Sequence, residues 1–194
     1  MERDDGARPP GSVLGGTDPG TGPAETSAGR RGTAWEGRWG TVEQRLRECC
    51  AADTWVAAML EGRPYASLDA ALARSDQALA GLDDNALAQA LAAHSRIGDP
   101  PTGGDREATR SRAEQAGARD ADPELAERLA RGNRDYEERF GRVFLIHASG
   151  RSAEQMYAAL RERLHNDPGT ERAVVRRELA GIVRGRLTAL AGED

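Results

Sequence analysis

From Val42 onward, apolar positions recur at three- and four-residue intervals and are cut into segments by polar and turn-forming residues, the pattern of amphipathic helices. Val42, Leu46, Cys49 and Cys50 share one face, and Trp55, Val56, Met59 and Leu60 form a second segment that Gly62-Arg63-Pro64 stops. Ser67 is placed to cap a helix carrying Leu68, Leu72 and Leu79 and closing at Gly81; Asp83 or Asp84 is placed to cap the next, which runs toward His94. A further helix is expected near Arg106 to Gly117, after the loop Asp99-Pro100-Pro101-Thr102-Gly103-Gly104. Asp122-Pro123, a cap followed by proline at the first helical position, opens a helix with Leu125, Leu129, Tyr136 and Phe140 that Gly141 ends. Val143-Phe144-Leu145-Ile146 is short and continuously apolar, which fits either an extended segment or the start of a buried helix. Ser152 with Gln155 has the spacing of a capping box before Met156, Ala159, Leu160 and Leu164. Asn166-Asp167-Pro168-Gly169 reads as a break, with Thr170 capping a long last helix through Val175, Leu179, Ile182, Val183, Leu187 and Leu190. No alternating strand pattern with hairpin signals occurs and no internal repeat is evident, so the pattern predicts an all-α fold, a single-domain bundle of six to eight helices.

Residues 1–38 differ in kind. They are dense in Gly, Pro, Ser, Thr and charge, as in Arg8-Pro9-Pro10-Gly11, and cannot bury enough surface to offset their ordering entropy. The expected organisation is therefore a disordered N-terminal tail, 1–38, and a helical domain, 39–194. For 194 residues, a net charge of −5 with both signs interspersed leaves no basic stripe for nucleic acid. A mean hydropathy of −0.67 leaves no apolar run for a membrane span. The two cysteines, Cys49 and Cys50, are adjacent, a spacing that suits neither a loop-closing disulfide nor a four-ligand zinc site; they read as small buried hydrophobes. With no apolar leader segment after Met1-Glu2-Arg3-Asp4-Asp5, a cytoplasmic location is the expectation.

Three polar intrusions into apolar stripes are the candidate chemistry. Continuing the helical spacing from Leu87, Ala90 and Leu91 places His94 on their face, where it either caps the helix end or serves as an imidazole tuned near neutral pH for proton transfer. Ser111, Glu114, Gln115 and Ala118 share a stripe that is either a solvated face or, turned inward, a set of hydrogen-bonding groups for a polar ligand. Arg186 falls on the stripe of Leu179 and Ile182, where it either snorkels to water or clamps a carboxylate or an anionic substrate. GxxxxGK[ST], GxGxxG, HExxH, GxSxG and CxxC are all missing, so nucleotide, zinc and serine-hydrolase chemistry have no support.

Several runs, in order and over nearly the whole of Val42 to Leu190, carry a family resemblance. They are Leu46-Arg47-Glu48-Cys49-Cys50 with Trp55, Arg63-Pro64-Tyr65, His94-Ser95-Arg96-Ile97-Gly98 and Ser111-Arg112-Ala113-Glu114-Gln115. They continue through Tyr136-Glu137-Glu138-Arg139-Phe140-Gly141, Phe144-Leu145-Ile146, Ala148-Ser149-Gly150-Arg151-Ser152, Arg163-Leu164 with Asn166, and Glu178, Ile182, Arg186 and Leu187. The chain resembles the decarboxylases of 2-oxo-4-hydroxy-4-carboxy-5-ureidoimidazoline (OHCU), enzymes of purine degradation. The resemblance implies an all-helical homodimer that uses neither metal nor organic cofactor and turns the small-molecule substrate OHCU into (S)-allantoin. It makes His94 the catalytic acid/base, Glu114 its carboxylate partner and Arg186 the holder of a charged or carbonyl oxygen. Ser111 and Gln115 become binders of the ureido and ring amides, and Phe144, Ile146 and Ala148 belong to a segment that offers backbone groups to substrate. Ser95, also expected at the substrate, stands where the family usually has proline. The serine removes a restraint on the backbone before it, which implies lower activity or an altered substrate. Two other readings stay open: a non-catalytic helical interaction module derived from this family, and a decarboxylase of a related ureido or imidazoline compound.

Overall fold

The computed structural model describes residues 42–98 and 121–192; the expected tail and the helix near Arg106 to Gly117 lie outside them. Among the described residues there are seven α-helices and no strand: α1 (Val42–Cys49), α2 (Asp53–Glu61), α3 (Leu68–Ala80), α4 (Asp84–Ala92), α5 (Pro123–Phe140), α6 (Ala153–Arg163) and α7 (Pro168–Ala191).

Local signals account for most boundaries. The Ser67, Asp83 and Asp122 side chains accept the expected N-cap hydrogen bonds, from the Ala70, Ala86 and Leu125 amides. The Ser152–Gln155 capping box is formed in both directions. Gly141 ends α5 in the left-handed conformation, φ 65°, which glycine adopts without a Cβ penalty. Two expectations are corrected. The last helix is capped by Asp167 rather than Thr170: Asp167 accepts from the Gly169 and Thr170 amides and Pro168 occupies the first turn. Asp167-Pro168 is thus a helix start of the same kind as Asp122-Pro123, because proline lacks only an N–H that the first turn leaves unpaired anyway. Secondly, α4 stops at Ala92 and is capped by Ala93, so His94 stands just beyond the helix instead of on its face.

Two apolar clusters organise the packing. In the first, α1 to α4 pack with α7 around Trp55, Met59, Leu79, Leu87, Val175 and Leu179; the second joins α5 and α6 around Leu129, Tyr136, Met156 and Leu160. The run after α5 lies between them as an extended segment, which decides the ambiguity left by its composition. Leu145 packs into the first cluster while Phe144, Ile146 and Ala148 pack into the second, the two-residue alternation of an extended chain. With no strand among the described residues to pair with, the segment takes hydrogen bonds from side chains. Arg163 Nη1 donates to the Leu145 carbonyl at 2.7 Å, and the His147 amide donates to Glu178 Oε2 at 2.8 Å.

Candidate active site

His94 sits where the first cluster hands the chain to the second. Its amide donates to the Leu91 carbonyl at 3.0 Å, closing the last turn of α4. The helix itself is held from below by a reciprocal pair: the Asp53 amide donates to Gln89 Oε1 at 2.9 Å, and Gln89 Nε2 donates to Asp53 Oδ2 at 2.7 Å. Ile97, three residues after the histidine, is buried in the second cluster with Phe144, Ile146 and Ala148. The loop bearing His94 and the segment expected to offer backbone groups therefore share one apolar surround.

Arg186 reaches this region from α7. Only 3% exposed, it does not snorkel to water. Its Nη1 donates to the carbonyls of Glu48 and Cys49 at 3.3 and 3.5 Å, long bonds to the last turn of α1, where a cation also meets the negative end of the helix dipole. Its charge also reaches the His94 ring. Burial first, and then the Arg186 guanidinium, push the imidazole down to about 3. With these two influences the ring is neutral in the physiological range. Cys50 is close to the same guanidinium, but burial dominates and raises the thiol to about 11, so it stays protonated and unreactive. Both cysteines are buried, as expected.

The structure thus brings together two of the three expected catalytic groups, a neutral imidazole and a buried guanidinium. Ser95 is half-buried in the loop beside His94, and Phe144, Ile146 and Ala148 are buried in the extended segment. Ser111, Glu114 and Gln115 fall outside the described residues. Among those residues no group of three or more His, Cys, Asp or Glu side chains is placed to hold a metal ion. Likewise no helix among them is long and apolar enough to cross a membrane.

Sequence reasoning missed a buried polar network on the far side of the extended segment. Arg163 donates through Nε, at 2.9 Å, and through Nη2 to Glu171 Oε1; the Tyr136 hydroxyl also donates to Oε1, and Asn166 Nδ2 donates to Oε2 at 2.7 Å. The Arg163 guanidinium lies 4.6 Å from the centroid of the Phe144 ring. The signal was available, since Arg163 continues the stripe Met156–Leu160 just as His94 and Arg186 interrupt theirs. His147 was also passed over. It is half-buried, and a Cβ placed on Gly181 of α7 would lie 3.2 Å from its Nδ1, so the helix approaches the imidazole through glycine.

Comparison with known proteins adds identity to this geometry. A family model described as OHCU decarboxylase matches residues 40–188. The uric acid degradation bifunctional protein TTL of Arabidopsis thaliana is 29% identical over 151 residues, which are 76% of this chain and 45% of that protein, so the chain spans less than half of this relative. A crystal structure of OHCU decarboxylase in the presence of (S)-allantoin superposes with a TM-score of 0.67 at 24% identity, covering 78% of this chain and 99% of that one. One of (S)-allantoin synthase gives 0.60 at 14% identity, covering 77% and 49%. At these identities the two structures speak for the fold.

Proposed function

Because the chain belongs to the OHCU decarboxylase family, we propose that it decarboxylates 2-oxo-4-hydroxy-4-carboxy-5-ureidoimidazoline to (S)-allantoin in urate degradation, without a cofactor. The observation that carries this reading is the neutral His94 imidazole within electrostatic reach of the buried Arg186 guanidinium. The substrate has a carboxylate and a hydroxyl on one ring carbon, next to a carbon doubly bonded to nitrogen. When the bond to the carboxylate breaks, its electron pair moves toward that imine and carbon dioxide leaves. An enol-like intermediate remains; it becomes a carbonyl as the hydroxyl proton departs, and the neighbouring carbon takes up a proton on one face.

Each group suits one part of that sequence. A neutral imidazole accepts the hydroxyl proton and, as a strongly acidic imidazolium, returns it to the neighbouring carbon, while a solvent proton completes the ring nitrogen. Arg186 faces the oxygen on which negative charge develops. Neither His94 nor Cys50 carries a negative charge that would cancel it at neutral pH. Glu114 orients His94; Ser111, Gln115 and Ser95 meet the polar edge of the substrate, and the Phe144, Ile146 and Ala148 backbone meets its ring. A cytoplasmic homodimer completes the proposal, and sedimentation of the purified chain tests the dimer.

The deciding experiment generates OHCU in situ from urate with the upstream enzymes and follows circular dichroism. Faster, enantioselective formation of (S)-allantoin is expected, and no acceleration over the spontaneous reaction would overturn the reading. His94→Ala is expected to lower kcat by about 10²–10⁴, with native far-UV dichroism retained.

A further inference from the structure

The described stretch after α4, residues 94–98, is fastened at three points. His94 begins it with a hydrogen bond to the Leu91 carbonyl at 3.0 Å. Two residues on, Arg96 Nε and Nη2 donate to the two carboxylate oxygens of Glu137, each at 2.6 Å. Next, the Ile97 carbonyl accepts from Asn133 Nδ2 at 2.9 Å. Asn133 is 1% exposed and Ile97 4%, so this bond is made out of reach of water. Asn133 and Glu137 are four residues apart on α5 and therefore lie on one face, a single turn from each other. Ser95 supplies no ring to restrain the backbone of His94. What limits that backbone is the set of tethers around it.

Those tethers hold the chain where it passes from one apolar cluster to the other. Leu91 at the end of α4 and the α7 helix of Arg186 belong to the first, whereas Ile97, α5 and most of the Phe144–Ala148 segment belong to the second. A grip by α5 on the His94 loop consequently fixes the imidazole relative to the extended segment. The Arg96 hydrogen bonds hold the Glu137 carboxyl below the usual carboxylate range, so the pair stays ionised at neutral pH. At a partly exposed site such a pair adds little stability, but two parallel bonds define an orientation that one contact does not.

We infer that Asn133 and Glu137 are positioning residues for His94, gripping its loop through the Ile97 carbonyl and Arg96 so that the imidazole is held at a fixed place against the substrate-facing segment. The inference rests on the decarboxylase reading for its kinetic consequence, though not for its structural one. Misplacing a reacting group by about 1 Å costs up to about a hundredfold in rate, so Glu137→Gln and Arg96→Gln are each expected to lower kcat about tenfold, with KM and Tm little changed. The exchanged pair Arg96→Glu with Glu137→Arg restores the contact with reversed charges and regains most of the loss. Asn133→Ala unpairs the buried Ile97 carbonyl and is expected to lower Tm as well; the surface pair carries the test should that variant fold poorly.

Two readouts separate the possible failures. Hydrogen exchange of residues 95–98, followed by mass spectrometry with no substrate present, is expected to quicken in both single variants and to recover in the exchanged pair. If the wild-type chain forms allantoin and the single variants keep kcat within about twofold, or the exchanged pair does no better than they do, the positioning role is overturned. A wild-type chain that does not turn over OHCU defeats the decarboxylase reading and with it the kinetic claim. Unaltered exchange in Glu137→Gln then overturns the loop grip too, while quickened exchange sustains it as a structural device.

Discussion

At the residue scale, His94 ties folding to pH through a sign that can be worked out. An unfolded histidine titrates near 6.5, whereas the half-buried His94 ring, partly desolvated and near Arg186, is pushed down to about 3. Between those values the unfolded chain binds the proton and the folded chain does not, so stability falls as pH drops through that window and is indifferent to this group above it. His94→Gln removes the titrating group and is expected to flatten the acid limb by close to one proton. Chemical denaturation at a series of pH values from 7 down to about 4 measures the slope; identical slopes for the two proteins would refute a depressed imidazole. The residue was legible in the sequence as a polar interruption of an apolar stripe, but its tuning was not. The cause of the shift beyond burial is a guanidinium 92 positions later in the chain, and periodicity within one helix carries no information about that distance.

Helix termini are where the sequence spoke most plainly, because caps are local chemistry. Ser67, Asp83, Asp122 and the Ser152–Gln155 box are each settled within four residues, and the one misread start, Asp167-Pro168, had the same two residues as a correctly read one. Contacts between elements were hidden for the opposite reason. Gly132 looks like a flaw in the middle of α5, yet a Cβ there would lie 2.6 Å from Leu160 Cδ2 and 3.3 Å from its Cγ. The glycine lets α5 and α6 close on one another, and Leu160 is fully buried with little room to yield. Alanine gains about 1 kcal/mol of helix propensity at an interior position, against about 1–3 kcal/mol for overpacking a core. Gly132→Ala is therefore expected to lower Tm, and Leu160→Ala in the same chain to relieve the clash while opening space of its own. A Gly132→Ala protein more stable than the wild type would show that the helices separate at little cost.

Across the whole molecule, the Phe144–Ala148 segment is a seam held by charge as well as by packing. The Arg163 guanidinium binds both the Leu145 carbonyl and Glu171, and it draws Tyr136 and the N-terminal part of α7 into one buried network. The intrusion of Arg163 into its stripe was readable along the chain, but its partners were not, since the segment's hydrogen-bond donor and acceptor are 18 and 31 residues away on other elements. Removing one member of a buried pair leaves the other charged and unpaired, at about 3–5 kcal/mol, whereas replacing both with apolar groups of similar volume is often near neutral. Arg163→Met should thus lower stability severely, and Arg163→Met with Glu171→Leu should recover much of it. Function is expected to part company with stability in the double variant. The Leu145 carbonyl has lost its donor in both proteins, so the backbone proposed to meet the substrate ring keeps only its Glu178 tether, and KM for OHCU should stay raised even where Tm has returned. Parallel thermal melts and kinetics on the two variants measure this split, and a double variant that recovered KM together with Tm would make the network a matter of stability alone.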